Sequence, residues 1–95
     1  MLLQAQGKLD LAEPFLRRAL EGRERTLGRD HLDTVGSAND LGLLLYGQDK
    51  FTLAEPLFRH ALEGNERILG RDHPNTLKSV SNLRVLLKAM KEKEK

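Results

Sequence analysis

Residues 11–34 of the chain read LAEPFLRRALEGRERTLGRDHLDT, and residues 53–76 read LAEPLFRHALEGNERILGRDHPNT. The two stretches are identical at 17 of 24 positions, so the pattern returns with a period of 42, from Leu11 to Leu53. Self-similarity at a fixed period of about 20–50 residues is the sequence signature of stacked repeat architectures. Together with helical spacing of the apolar residues and no strand pattern, it predicts an all-α protein built from stacked antiparallel helical hairpins.

The composition bounds the class of protein. The chain has 95 residues, enough for one small domain, and a formal charge of +2 from 16 basic and 14 acidic residues. These charges alternate along the sequence, which argues against the one-signed patch of a nucleic-acid-binding surface. No apolar run approaches the roughly 18–20 residues that cross a membrane. The absence of cysteine excludes disulfides and thiolate metal sites and favours a reducing, cytosol-like compartment.

The repeat divides the chain into three units. We predict an incomplete first repeat, a complete second repeat, and a capping helix with a tail, at residues 1–33, 34–75 and 76–95. Four helices are expected, at about residues 9–27, 34–47, 51–69 and 76–90. Each hairpin buries only part of its apolar face alone, so the stack is the stable unit.

Several residues mark the expected helix ends. Gly7 and Lys8 align with Asp49 and Lys50 and predict a tight turn before the first long helix. Pro14 would then lie in the first turn of that helix, where proline costs little because the N–H groups there have no intrahelical partner. Asp33 is the expected N-cap of the second helix. Residues 91–95 are expected to fray in solvent.

The large and small residues of the complete unit resemble a tetratricopeptide repeat. The match runs through Leu41, Gly42, Leu45, Phe51, Ala54, Phe58, Ala61 and Leu62. The resemblance implies a short right-handed solenoid in which Gly42 and Ala54 let the two helices of a hairpin touch. The 42-residue period and the link LGRDHPNT at residues 69–76 are similar to the repeats of kinesin light chains and related scaffolds.

Some positions depart from the common pattern, among them Leu32, which replaces the proline of the link, and Asp40, which replaces a common asparagine. Gly22 and Gly64 lie inside long helices, where glycine is less favourable than alanine by about 0.5–1 kcal/mol. If both are ordinary helix interior, replacing both by alanine should stabilise the fold by roughly 1–2 kcal/mol. Arg84 takes the small position that Gly42 fills, so we expect its side chain in solvent and the last helix to act as a cap.

No residues have the pattern of an enzyme, metal or cofactor site. His31 and His73 recur in the same link, which favours a hydrogen bond within each turn. No set of three or four convergent zinc ligands, no phosphate-binding glycine loop and no nucleophile with an acid–base partner is found. The acidic residues of the long helices are expected to form ion pairs four residues apart, from Glu21 to Arg25 and from Glu63 to Arg67.

The resemblance implies a concave groove lined by the first helix of each hairpin. By register the groove-lining residues are Gly36, Asn39, Asp40, Leu43, Tyr46, Lys78, Ser81, Asn82, Val85 and Lys88. Amide side chains there can hold a peptide backbone, and the lysines can meet acidic groups. Asp40, an acceptor-only carboxylate, would repel an acidic ligand.

These observations predict a protein–protein interaction module or scaffold that binds a protein or peptide segment, with acidic peptides favoured. The alternative is a purely structural or oligomerising solenoid with no ligand in the groove. Self-association is also expected through the incomplete first repeat, where the apolar face around Leu9, Leu16 and Leu20 lacks its covering helix.

Overall fold

A computed structural model describes residues 2–94 of the chain, and side-chain surroundings for residues 7–93. The described residues form four helices and no strand: α1 (Leu2–Thr26), α2 (Leu32–Gly47), α3 (Phe51–Leu69) and α4 (Pro74–Glu94). Each helix packs mainly on its neighbours in sequence, α1 on α2, α2 on α3 and α3 on α4. Short links make neighbouring helices antiparallel. The predicted all-α helical repeat solenoid is confirmed.

The predicted turn at Gly7 and Lys8 is wrong, because α1 runs through both residues without a break. The few residues before Gly7 are too short for a stable helix of their own, and continuing α1 gives their backbone groups helical partners. One consequence is that Pro14 lies in the interior of α1 and not in its first turn. There it removes a helical hydrogen bond. Met1 lies outside the described residues.

The core is centred on α2, which packs between α1 and α3. Its buried apolar side chains come from all four helices: Leu20, Ala38, Leu41, Leu44, Leu45, Ala54, Phe58, Leu83 and Leu86. Gly42 permits the close approach of α3, since a Cβ there would stand 2.8 Å from the Phe58 ring. The expected role of Gly42 within the hairpin is therefore confirmed.

Gly64 is not ordinary helix interior. A Cβ at this position would collide with the Cγ2 atom of Val35 on α2, whereas a Cβ at Gly22 meets nothing within 4 Å among the described residues. The condition of the alanine prediction, that both glycines are ordinary helix interior, therefore does not hold at Gly64. The reason is that α3 has α2 against this face, and α1 has no helix there.

Histidines and not aspartate begin the helices after the links. His31 is the N-cap of α2, and its Nδ1 accepts a hydrogen bond from the Asp33 backbone N–H at 3.0 Å. Asp33 is therefore not the N-cap, because it is already the second residue of α2. His73 accepts from the Asn75 N–H at 3.0 Å in the same way. The predicted hydrogen bonds of both histidines within their turns are confirmed.

The last helix is longer than expected. α4 continues to Glu94, so the predicted fraying of residues 91–94 is wrong, and Lys95 lies outside the described residues. The Lys93 ammonium stands 5.3 Å from the centre of the Phe51 ring, a cation–π contact that holds this end against α3. Arg84 is exposed, as predicted.

The ion pairs differ from the predicted ones. Arg67 reaches the link before α2 and contacts Asp30 at 2.8 Å, so it is not paired with Glu63. The pair between Glu21 and Arg25 is likewise absent among the described side chains. The pairs four residues apart are instead Glu13 with Arg17 and Glu55 with Arg59, each at 2.9 Å and repeat-related to one another.

Candidate functional site

A groove of about 870 Å³ runs between α2 and α4, with α3 behind it. Its walls are the parts of α2 and α4 that run from the start of each helix to Leu43 and to Asn82, and Asn65 reaches it from α3. The lining residues are Leu32, Val35, Gly36, Asn39, Asp40, Leu43, Asn65, Pro74, Asn75, Leu77, Lys78, Ser79, Ser81 and Asn82.

The two walls are copies of the same helix surface. Leu32 and Pro74 are equivalent positions of the repeat, as are Val35 and Leu77, and all four line the groove. Chemically different residues occupy other equivalent positions of the two walls. Gly36 corresponds to Lys78, Asn39 to Ser81 and Asp40 to Asn82. This makes one wall acidic and the other basic.

The structure brings together seven of the ten residues predicted by register: Gly36, Asn39, Asp40, Leu43, Lys78, Ser81 and Asn82. Tyr46, Val85 and Lys88 do not line the groove. They lie toward the C-terminal ends of α2 and α4, beyond the concavity. The Tyr46 ring packs at 5.4 Å from the Phe51 ring at the α2–α3 turn, while Val85 and Lys88 are exposed.

The register missed the residues nearest the links and the contribution of α3. Leu32 and Pro74 begin the walls because their helices start earlier than predicted. Asn65 is buried and donates to the Ser79 Oγ at 2.8 Å. Its repeat counterpart Arg23 contacts the Ser37 Oγ. This recurrence of a polar residue opposite a serine, in both copies of the repeat, was the sequence signal that could have found it.

Two amide side chains join the walls. The Nδ2 of Asn82 donates to the Oδ1 of Asn39 at 3.1 Å, and both residues are half-buried. An amide has two N–H donors and one acceptor oxygen. The bond between them therefore leaves the Asn39 Nδ2 group as a donor and the Asn82 Oδ1 as an acceptor, the two functions that a peptide bond requires.

The groove carries one charge of each sign. Asp40 and Lys78 are its charged lining residues, and both are exposed. Apolar contact area comes from Leu43 and Leu77, which are 44% and 53% exposed. Such a surface offers both amide hydrogen bonding and apolar contact to an extended ligand.

Glu13, a carboxylate with a lowered pKa, lies outside the groove, where α1 meets the α2–α3 turn. Arg17 donates to Glu13 at 2.9 Å and Lys50 donates to it at 3.2 Å. These cations, Arg17 first, hold the pKa of Glu13 at about 2, below its ordinary 4.5. Glu13 thereby ties the first helix to the start of α3.

The described side chains offer no metal site. Residues 7–93 contain no group of three or more His, Asp or Glu side chains placed to hold a metal ion. Within the part of the chain that the structure describes, no helix is long and apolar enough to cross a membrane.

Stacked antiparallel helices with a groove between alternate members define a helical-repeat scaffold. A family model described as tetratricopeptide repeat matches residues 1–67 and again residues 35–95. The chain belongs to the tetratricopeptide repeat family. This family is a non-catalytic repeat fold that generally mediates protein–protein interaction. A search of curated proteins gave no significant match.

Proposed function

We propose that the chain is a non-catalytic interaction module that holds an extended peptide segment of a partner protein between α2 and α4. The observation that carries the proposal is the amide pair of Asn39 and Asn82 across the groove. The remaining Asn39 Nδ2 donates to a peptide carbonyl, and the Asn82 Oδ1 accepts from a peptide N–H. Leu43 supplies apolar contact to its side chains.

An acidic ligand is the favoured chemistry. Lys78 attracts carboxylates and Asp40 repels them, so the two charges within the groove oppose each other. An amide at position 40, as in Asn82 of the other wall, would remove the repulsion. We therefore propose weak binding of acidic peptides, at the micromolar level or poorer, which corresponds to a free energy of about −8 kcal/mol or less in magnitude.

The finer class that we propose is supported by the sequence period. The 42-residue unit and the link at residues 69–76 support a place among kinesin-light-chain-like repeats, whose grooves are associated with an aromatic residue beside acidic ones. The lack of cysteine supports a cytoplasmic location.

The test is a fluorescence-polarisation titration with a labelled peptide of about ten residues, one aromatic residue flanked by aspartates and glutamates. Asp40→Asn should tighten binding, and Lys78→Ala should weaken it, each by a margin that shrinks as salt rises. Asn82→Ala should weaken binding independently of salt. Lys88→Ala is the matched control, since this lysine lies on α4 outside the groove.

Equal effects of Lys78→Ala and Lys88→Ala would indicate nonspecific charge attraction and contradict groove binding. If Asp40→Asn, Lys78→Ala and Asn82→Ala all left the affinity for the peptide unchanged, the groove would be rejected as the binding surface.

A second candidate function, an oligomerising solenoid, is favoured by one specific observation. Leu11 and Phe15 on α1 are 73% and 69% exposed, which is unusual for neighbouring large apolar residues on one helix face. We propose self-association through this face of α1. Leu20, which the sequence analysis placed on the uncovered face, is instead buried in the core, so that part of the expectation is wrong.

A further inference from the structure

The two outer helices each expose a face whose repeat counterpart is buried inside the stack. α3 packs on α2 with Gly64 against Val35 and with Phe58 against Gly42. The face of α1 that is equivalent to this α3 face lies 42 residues earlier and carries Gly22 and Leu16, the counterparts of Gly64 and Phe58. The face of α4 that is equivalent to this α2 face lies 42 residues later and carries Leu77 and Arg84, the counterparts of Val35 and Gly42.

Burial differs between the copies as this relation requires. Val35 is 2% exposed, whereas its counterpart Leu77 is 53% exposed. Ala54 and Ala61 are fully buried, whereas their counterparts on α1, Ala12 and Ala19, are only half-buried. The chain therefore has the α3-type face open at α1 and the α2-type face open at α4.

The polar contacts of the α2–α3 hairpin have counterparts on the same open faces. Arg67 of α3 pairs with Asp30 in the preceding link at 2.8 Å. The corresponding residues are Arg25 on α1 and Asp72 in the second link. Both are exposed, and neither has an ion-pair partner among the side chains of residues 7–93. The two open faces thus carry one charge of each sign at the positions where α3 and the first link form their ion pair.

We propose that α1 of one copy packs against α4 of a second copy, head to tail, as α3 packs against α2 within the chain. Leu77 of one copy fills the space over Gly22 of the other, and Asp72 of one pairs with Arg25 of the other. This inference rests on the second candidate function, self-association through α1, and names the surface that covers it. It does not depend on peptide binding in the groove.

One residue opposes this packing. Arg84 stands where Gly42 lets α3 approach, and a larger group there crowds the incoming helix. The incoming residue is Leu16 in place of Phe58, which is shorter and leaves room for the arginine stem. The contact is therefore weak, and Arg84→Ala should strengthen it.

The arrangement has a defined assembly behaviour. A head-to-tail contact joins two different surfaces and leaves one of each free at the ends, so it builds open chains unless the rotation closes a ring. Packing of two α1 faces on one another would instead stop at a dimer.

The experiment is sedimentation velocity of the full chain over a wide concentration range, with four single variants and one double variant. The weight-average sedimentation coefficient of the parent should rise steadily past the dimer value. Gly22→Leu fills the space occupied by Leu77 and should raise the apparent dissociation constant by at least about tenfold, although leucine favours the helix. Glu21→Leu is its matched control, one position away and off this face, and should leave association unchanged.

Charge reversal tests the polar contact. Arg25→Asp and Asp72→Arg should each weaken association by roughly three- to fivefold or more, and the two changes in one chain should restore it. Circular dichroism checks that every variant keeps its helices.

The outcomes separate the two proposals. A strict monomer at high concentration rejects both self-association and the head-to-tail contact, and leaves groove binding standing. A plateau at the dimer, or association indifferent to Asp72→Arg while Gly22→Leu abolishes it, overturns the α1–α4 contact and retains self-association through α1.

Discussion

The two glycines show how one residue type acquires different roles from its surroundings. Gly22 and Gly64 occupy the same position of the repeat, each within the sequence Glu-Gly-x-Glu. Only Gly64 has a valine against it. In a single chain, Gly22 is therefore a helix residue with open space and Gly64 is a packing contact.

Alanine at these positions should have opposite effects. Gly64→Ala forces the new Cβ into Val35 and should lower the free energy of unfolding by about 1–3 kcal/mol. Gly22→Ala should raise it by about 0.5–1 kcal/mol through helix propensity alone. Urea unfolding at a concentration where the chain is monomeric measures both. Stabilisation by Gly64→Ala would show that α2 and α3 pack less closely than the structure has them.

At the scale of elements, Glu13 joins α1 to the turn that begins α3. Because its folded pKa of about 2 lies below the ordinary 4.5, its ionised form is favoured in the folded state. The resulting stabilisation is fully present above about pH 4.5 and is lost as the pH falls toward 2.

Glu13→Gln should therefore flatten the loss of stability between pH 4.5 and pH 2. Denaturant unfolding at several pH values in this window gives the comparison. Glu63→Gln is a suitable control, since it makes the same chemical change at an exposed carboxylate with no ion-pair partner among the described residues. An equal flattening in both variants would contradict a special role for Glu13.

The sequence predicted some elements well and others poorly, for physical reasons. The bounds of α3 follow from local signals, the turn at Asp49 and the glycine at position 70, and the structure has them as predicted. The start of α1 does not follow from local signals. Gly7 and Lys8 align with the turn at Asp49 and Lys50, but the residues before them are too few to form a separate helix that would pack against α1. The start of α2 was missed because a histidine ring replaced the expected aspartate cap.

The sequence predicted the central part of the groove but neither of its two ends. Helical register places Asn39, Asp40 and Asn82 correctly, since residues three and four apart share a face. Register cannot tell where along the helices the concavity ends. That depends on the contact of Tyr46 with Phe51 and on the link residues, which are set by tertiary packing.

For the whole molecule, stability should be graded from the middle of the stack outward. α2 and α3 each pack between two helices, while α1 and α4 pack against one each. Pro14 further weakens the part of α1 that precedes it, because it supplies no N–H to the helix.

Native-state hydrogen exchange should reflect this order. Amides of α2 and α3 should exchange slowest, and those of residues 2–13 fastest among the helices. The measurement needs dilute protein, where α1 is uncovered. Exchange in residues 2–13 as slow as in α3 would contradict the grading, and slowing of α1 alone at high concentration would agree with its coverage by a second copy.

The packing of each helix on its sequence neighbours also governs how fast the fold forms. Contacts between helices joined by short links close small loops, which gives a low relative contact order. Helical proteins with such local contacts fold in about microseconds to milliseconds. An outer helix that detaches therefore redocks before slower events such as proline isomerisation, which takes about 10–100 s, can intervene.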